Sequence, residues 1–194
     1  MTVRSGRHQG FSLVELMVTI AIAGILAGIS IADFSQRWGQ ERLLNASKTL
    51  NSWLDEQRRY AMQKAGTCQL NINTNTASLS PAPTPITLAT SPSTVTTPNI
   101  CAGQAPINIR DTVSNGSQIA LSVNPASAGA IRFSFRGLSE TVSTDGSTSS
   151  SVEIRLALPN ISRQHCVKVV NPLGMIRNGM ANTANSACSY SQSF

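Results

Sequence analysis

Gly10-Phe11-Ser12-Leu13-Val14-Glu15-Leu16-Met17-Val18-Thr19-Ile20 opens an apolar run that continues to Ile31. Ahead of it, residues 1–10 carry Arg4, Arg7 and His8 and no acid. The 21 residues from Phe11 to Ile31 would make a helix of roughly 32 Å, which matches the hydrocarbon core of a bilayer. Basic residues flanking such a span stay cytoplasmic, so the chain beyond about Phe34 is expected on the far side. A conventional signal peptide cut near Ser30-Ile31-Ala32 is the plainer alternative. It fits less well, because the run is longer than a usual h-region, holds Glu15 near its start and passes unbroken into further helical pattern.

Glu15 sets the chemistry of this stretch. A carboxylate in bilayer hydrocarbon costs on the order of 3 kcal/mol, so it needs a partner or a function. No Lys or Arg lies between Phe11 and Gln36 to neutralise it. A cut after Gly10 would create an α-amine at Phe11, four residues from Glu15 and on the same helical face. That amine, from the same or a neighbouring subunit, is a suitable counter-ion. The plainer reading places Glu15 at the cytoplasmic headgroup level.

The chain has 194 residues, enough for one membrane element and one modest domain. Only 12% are charged, about half the usual quarter, while Ser, Thr and Asn abound. That composition favours an exported, β-rich domain over a cytosolic helical enzyme. The formal charge of +6 falls to +4 without Arg4 and Arg7, with 13 basic residues against 9 acids. Cys68, Cys101, Cys166 and Cys188 contain no CxxC pair, which speaks against zinc or thioredoxin-type chemistry. All four follow the apolar run, where an oxidising compartment would make them disulfides. Of the three connectivities open to four cysteines, the sequence-local pairs Cys68–Cys101 and Cys166–Cys188 are favoured, each stapling a loop poor in apolar residues.

Beyond the run, Leu43, Ala46, Leu50, Trp53, Leu54, Gln57 and Ala61 recur at helical spacing, with Arg42, Asn45, Lys48, Asp55, Arg58 and Arg59 largely elsewhere. The helix is expected to continue to about Lys64 and to stop at Gly66, with Gly24, Gly28 and Gly39 as weak points. The Arg58-Arg59 pair reads as a solvated face. After Gly66 the period changes. Strands are expected at Cys68–Ile72, Ile107–Ile109, Gln118–Val123, Ala130–Phe135, Val152–Leu158 and Cys166–Val170, with turns at Asn115-Gly116 and Asp145-Gly146. Residues Asn73–Pro98 read as a long Ser/Thr/Pro-rich surface loop with at most one edge strand near Ile86–Ala89. The fold class is α+β: a long N-terminal helix, membrane half and amphipathic half, packed against an antiparallel β-sheet.

The stretch Gly10-Phe11-Ser12-Leu13-Val14-Glu15 resembles the class III signal of type IV prepilins and type II secretion pseudopilins. In that family a prepilin peptidase cuts after the glycine and N-methylates the phenylalanine, and the glutamate steers assembly into a helical filament. The resemblance implies Gly10 as cleavage site, Phe11 as methylated terminus, Glu15 as assembly residue and the type IV pilin fold. The division is then 1–10 leader, 11–34 transmembrane and assembly half, 35–65 amphipathic half, and 66–194 β-rich domain with two disulfides. One departure is Ala32, where many pilins have a proline that kinks the helix. Ala130-Ile131-Arg132-Phe133-Ser134-Phe135-Arg136-Gly137 and Cys166-Val167-Lys168-Val169-Val170-Asn171-Pro172-Leu173-Gly174-Met175-Ile176-Arg177 are similar to the second half of GspH-like minor pilins of the FimT/FimU type.

Nothing in the sequence assembles a catalytic set. His165 sits beside Cys166, and Asp111, Glu140, Asp145 and Glu153 are scattered. No glycine-rich phosphate loop, metal-ligand pattern or cofactor motif occurs. Beyond Gly66, Arg110, Arg132, Arg136, Arg155, Arg163, Lys168 and Arg177 stand against four acids, a surface that could hold phosphates without reading sequence. FimT-type pilins that capture DNA carry Gly-Arg-x-Arg near the C-terminus. Here the matching Gly174-Met175-Ile176-Arg177 keeps one arginine, so Lys168 and Arg177 are the candidate DNA contacts, with solvated surface as the favoured alternative. The expected function is that of a minor type IV pilin, a non-enzymatic subunit in pilus assembly or priming. The alternatives are a DNA-binding minor pilin for uptake and a type II secretion pseudopilin. Expected partners are other major and minor pilins, prepilin peptidase and the inner membrane. The expected location is the inner membrane, single pass with a cytoplasmic N-terminus and a periplasmic domain, and then the pilus.

Overall fold

The computed structural model describes residues 12–90, 93–113, 118–144, 148–149, 151–159, 161–184 and 186–190, with the side chains of 27–35, 88–94 and 148 outside the description. The leader, Gly10, Phe11 and the turn residues Asn115-Gly116 and Asp145-Gly146 therefore lie outside the described residues. Helix α1 (Leu13–Gln63) is one continuous element. The chain divides into two compact units, Met1–Trp38 and Gly39–Phe194.

In the first unit every described side chain from Ser12 to Leu26 is exposed. Among the described residues no helix is long and apolar enough to cross a membrane. The expected span 11–31 includes Phe11 and the side chains of 27–31, which lie outside the description.

In the second unit the amphipathic half of α1 turns Leu43, Ala46, Leu50, Leu54 and Ala61 into a fully buried stripe. Burying each leucine contributes about 1.5–3 kcal/mol, more than any single polar contact on this helix. Gly39 gives close approach, since a Cβ there would meet Ile161 Cδ1. The helix ends in a Schellman pair: Gly66 N–H donates to Ala61 O at 3.1 Å and Ala65 N–H to Met62 O at 3.3 Å. The left-handed residue is Ala65, with φ +50°. Gly66 serves a different purpose from the one expected: a Cβ on it would collide with Ile100 Cγ2.

Two antiparallel sheets cover this stripe, where the sequence had suggested one. The first contains β1 (Cys68–Asn73), β2 (Ser78–Pro81), β5 (Ile107–Asn108), β7 (Ala128–Phe133), β8 (Ser139–Ser143) and β9 (Thr148–Ser149), in the order β5-β2-β1-β7-β8-β9. The second contains β6 (Ala120–Asn124), β10 (Ser151–Ala157), β11 (Gln164–Val170), β12 (Met175–Ala181) and β13 (Ser189–Tyr190), in the order β13-β12-β11-β10-β6. Leu70 faces Ile131 and Cys68 faces Phe133 across β1 and β7, and Ile154 faces Val167 across β10 and β11. All six are fully buried.

The expected loop Asn73–Pro98 is a correction. It contributes β2 to the first sheet and folds into a separate hairpin of β3 (Ile86–Thr90) and β4 (Ser93–Thr97). Polar staples hold it where apolar side chains are too few. Asn99, 4% exposed, mimics a backbone partner for Gln69: its Nδ2 donates to Gln69 O and its Oδ1 accepts from Gln69 N–H, both at 3.0 Å. Asn99 Oδ1 also accepts from Cys101 N–H. Arg132 is a second correction, buried and not a surface cation. It pairs with Glu140, donates to Gln69 Oε1 and reaches Thr87 O on the hairpin at 3.0 Å.

Asn99→Ala strands the Gln69 N–H, while Gln69 O keeps the bond from Ala82 N–H, and should destabilise the protein by about 1–3 kcal/mol. Ala65→Gly relieves the left-handed strain and should stabilise it by about 0.5–1 kcal/mol. Urea unfolding of the full chain in detergent micelles measures both; an Asn99→Ala loss below about 1 kcal/mol would mean the staple is dispensable.

Candidate functional site

The N-terminal element presents Glu15 in the first turn of α1, where a carboxylate complements the helix dipole. It is exposed among exposed apolar neighbours: Leu13 is 74%, Val14 67% and Met17 65% accessible. Among the described residues no cation pairs with Glu15, and the Phe11 amine that could do so lies outside them. A helix that displays leucine, valine, isoleucine and methionine on every side is not built for water. It is built to be covered by lipid or by other helices.

The second arrangement lies on the outer face of the second sheet. Residues directly opposite on neighbouring strands share a face, so Asn124, Glu153, Lys168 and Arg177 form one row across β6, β10, β11 and β12. Arg155, Cys166, Gly179 and Tyr190 form the next. Glu153 accepts from Arg155 Nε at 2.6 Å and from the Tyr190 hydroxyl. Lys168 Nζ stands 5.4 Å from the centre of the Tyr190 ring. Burial, with the Glu153 hydrogen bond next, raises the Tyr190 phenol well above its ordinary range. Lys168 and Arg177 are thus brought side by side, and no acid is paired with either among the described residues.

Cys68–Cys101 and Cys166–Cys188 are disulfides. The first ties the start of β1 to the segment that carries Asn99, and the second ties β11 to the C-terminal segment. Ligand atoms of Glu153, Cys166 and Cys188 lie within 4.8 Å of one another. The two sulfurs are bonded to each other, however, which removes them as thiolate ligands.

The scattered polar residues do not converge on catalysis. Asp111 accepts from Asn108 Nδ2, Glu140 pairs with Arg132, and Asp145 lies outside the described residues. His165 points to the inner face opposite Leu156 and is 7% exposed. Burial and then the Arg163 charge lower its pKa, helped by Lys48 and opposed by Glu41.

Arg58 is the residue that pattern reading missed. It is not merely solvated: its Nε donates to Gly137 O at 2.9 Å and its terminal nitrogen reaches Leu173 O at 3.4 Å. Gly137 and Gly174 both have positive φ, +75° and +66°, and a Cβ on Gly174 would meet Gly137 O. The one hint in the sequence was a glycine after each of two similar strand segments.

The profile of the prokaryotic N-terminal methylation motif matches residues 5–31. The type IV major pilin protein PilA of Myxococcus xanthus (strain DK1622) is 34% identical over 58 residues, 30% of this chain. Over that stretch the chain is similar to a type IV pilin. The matched stretch spans 26% of that relative's length. Among solved structures, the type IV minor pilin FimU of Pseudomonas aeruginosa (strain PAO1) has a TM-score of 0.44 at 12% identity, covering 78% of this chain and 95% of that one.

In the unfolded chain His165 titrates near 6.5, whereas the fold keeps it neutral to lower pH. Its contribution to stability is therefore whole above about pH 6.5 and is lost as the pH falls below that value. The slope for one proton is at most about 1.4 kcal/mol per pH unit. Unfolding free energies at pH 7.5 and 5.5 should fall in this sense for the native chain and fall less for His165→Gln.

Proposed function

We propose that this chain is a minor type IV pilin, a structural, non-catalytic subunit that enters a filament through its N-terminal helix. The observation that carries this is the exposed apolar helix with Glu15 as its one charged group from Leu13 to Leu26, lying within the matched methylation motif. Cleavage after Gly10 would release the Phe11 amine as counter-ion to Glu15. Burial of that pair among packed apolar helices would then set the axial register between subunits. The inner membrane holds the subunit before assembly, prepilin peptidase processes it, and other pilins are its partners. The packed second unit is what the helix presents.

A second reading concerns the outer face of the second sheet. Like charges directly opposite on neighbouring strands are destabilising, and Lys168 faces Arg177 on one side and, on the other, Glu153, whose carboxylate is engaged by Arg155 and Tyr190. A polyanion laid across the strands would relieve that repulsion, and the phosphates of duplex DNA have suitable chemistry.

Intact-mass analysis of the mature protein should show a chain beginning at N-methylated Phe11; a start at Asp33 would replace the filament reading with secretion. Glu15→Ala should remain membrane-inserted yet be lost from sheared filaments by at least tenfold. Unchanged incorporation would remove Glu15 from the assembly role.

A further inference from the structure

The C-terminal segment lies across the charged face of the second sheet like a strap, and its fastenings are specific. Arg155 Nη1 donates to Ser186 O at 3.1 Å and Ala184 O at 3.4 Å. Cys188 is bonded to Cys166 on β11. Two residues on, Tyr190 pairs with Gly179, covers its Cα and reaches over to Glu153. A Cβ on Gly179 would come within 2.6 Å of the Tyr190 ring, so the glycine is the berth for the tyrosine. Lys168 is held over the same ring. Between them these contacts leave the Arg155 side chain 19% accessible and engage Lys168, while Arg177 alone of the three cations has no partner among the described residues.

The four cysteines are unequal. Cys68, Cys101 and Cys166 are fully buried, whereas Cys188 is partly exposed. Thiol exchange needs access to a sulfur, so exchange is expected to begin at Cys188, the one partly exposed cysteine residue, while both residues of the Cys68–Cys101 bridge are buried.

We propose that residues 182–184 and 186–190 belong to a redox-held strap over a cationic surface, released when an external dithiol reduces Cys166–Cys188. This rests on the second reading above, that Lys168 and Arg177 contact a polyanion. In the exchange, a thiolate of the dithiol attacks Sγ of Cys188 and the Cys166 sulfur leaves with the bonding electron pair, then takes a proton. The second thiol of the reductant closes a disulfide with the first and releases the Cys188 thiol. Two electrons pass to the protein and the dithiol becomes a cyclic disulfide. With the covalent tie gone, what holds the strap among the described residues is a two-residue strand pairing, the hydroxyl hydrogen bonds of Tyr190 and Ser189, the Lys168 contact with the Tyr190 ring and two carbonyl contacts. Its departure places Arg155, Lys168 and Arg177 on one open face against the single acid Glu153.

The test uses the full chain in detergent micelles, oxidised, treated with dithiothreitol, and as the Cys166→Ser/Cys188→Ser double variant. Chymotryptic cleavage after Tyr190, followed by mass, reports the strap; titration with a 24-base-pair duplex over a salt series reports the surface. Reduction and the double variant should each speed that cleavage at least tenfold. They should also tighten DNA binding at least tenfold at about 50 mM salt and steepen the log–log salt slope by about one, for the phosphate that Arg155 gains. Gly179→Ala, which unseats Tyr190 with the disulfide intact, should raise cleavage after Tyr190 in the oxidised protein. Equal cleavage in the oxidised and reduced forms overturns the strap. Faster cleavage with unchanged DNA affinity overturns its role as a cover. Oxidised protein whose DNA binding is insensitive to Lys168→Ala/Arg177→Ala overturns the reading beneath it instead.

Discussion

Two backbone turns, 134–138 and 171–174, must be held together for the two sheets to share one core, and Arg58 and Asn171 do the holding. Arg58 leaves the buried face of α1 at its C-terminal end and donates to a carbonyl on each turn. Asn171 works from the other side: its Oδ1 accepts from Ser139 Oγ at 2.6 Å, and its Nδ2 donates to Thr141 Oγ1 and Ser149 O. Ser139 N–H completes the joint by donating to Pro172 O at 2.9 Å. Buried polar networks of this kind stabilise only when every member is satisfied. Here helix, first sheet and second sheet each supply a partner.

That joint explains why β8 has no apolar core face. Its inward residues are Ser139, Thr141 and Ser143, all buried, because their hydroxyls meet Asn171 and Ser127 rather than leucines. It also explains the glycines. Both glycines pack close to Arg58: a Cβ on Gly174 would lie 3.0 Å from Arg58 Nε, and one on Gly137 would meet Met62 Sδ at 2.8 Å with Arg58 at 3.4 Å. Left-handed backbone and close approach coincide at both places, which leaves glycine as the residue that meets both demands.

What the sequence made legible was whatever rests on periodicity. The buried stripe Leu43, Ala46, Leu50, Leu54 and Ala61 and the alternation Val152, Ile154, Leu156 are hydrophobic patterns, and helix and strand followed from them. The elements that escaped are stabilised by polar groups acting at a distance. β8 shows hydroxyls where apolar residues were sought, β12 mixes Arg177, Asn178 and Gly179, and the β3–β4 hairpin is held by Arg132 at Thr87 O. The candidate site divides the same way. Glu15 stands out because it interrupts an apolar run, whereas the strap over Lys168 needs the register of β11, β12 and β13 to be seen.

The same helix carries two opposite burial regimes, and this contrast has a functional consequence. From Leu43 to Ala61 its apolar face is fully buried against the protein's own sheets, so a substitution there acts first on folding. From Leu13 to Leu26 the side chains are exposed, Ile25 at 68% and Leu26 at 61%, so they add nothing to a core within the chain. Apolar surface on that scale is stable only when lipid or another protein removes it from water. In the proposed passage from membrane to filament the same apolar side chains would meet nearly equal environments, so burial alone would not drive the transfer. The difference must come from a group that the two environments treat differently. Under the proposed filament role Glu15 would be that group: unpaired in hydrocarbon it is costly, and paired between subunits it would not be.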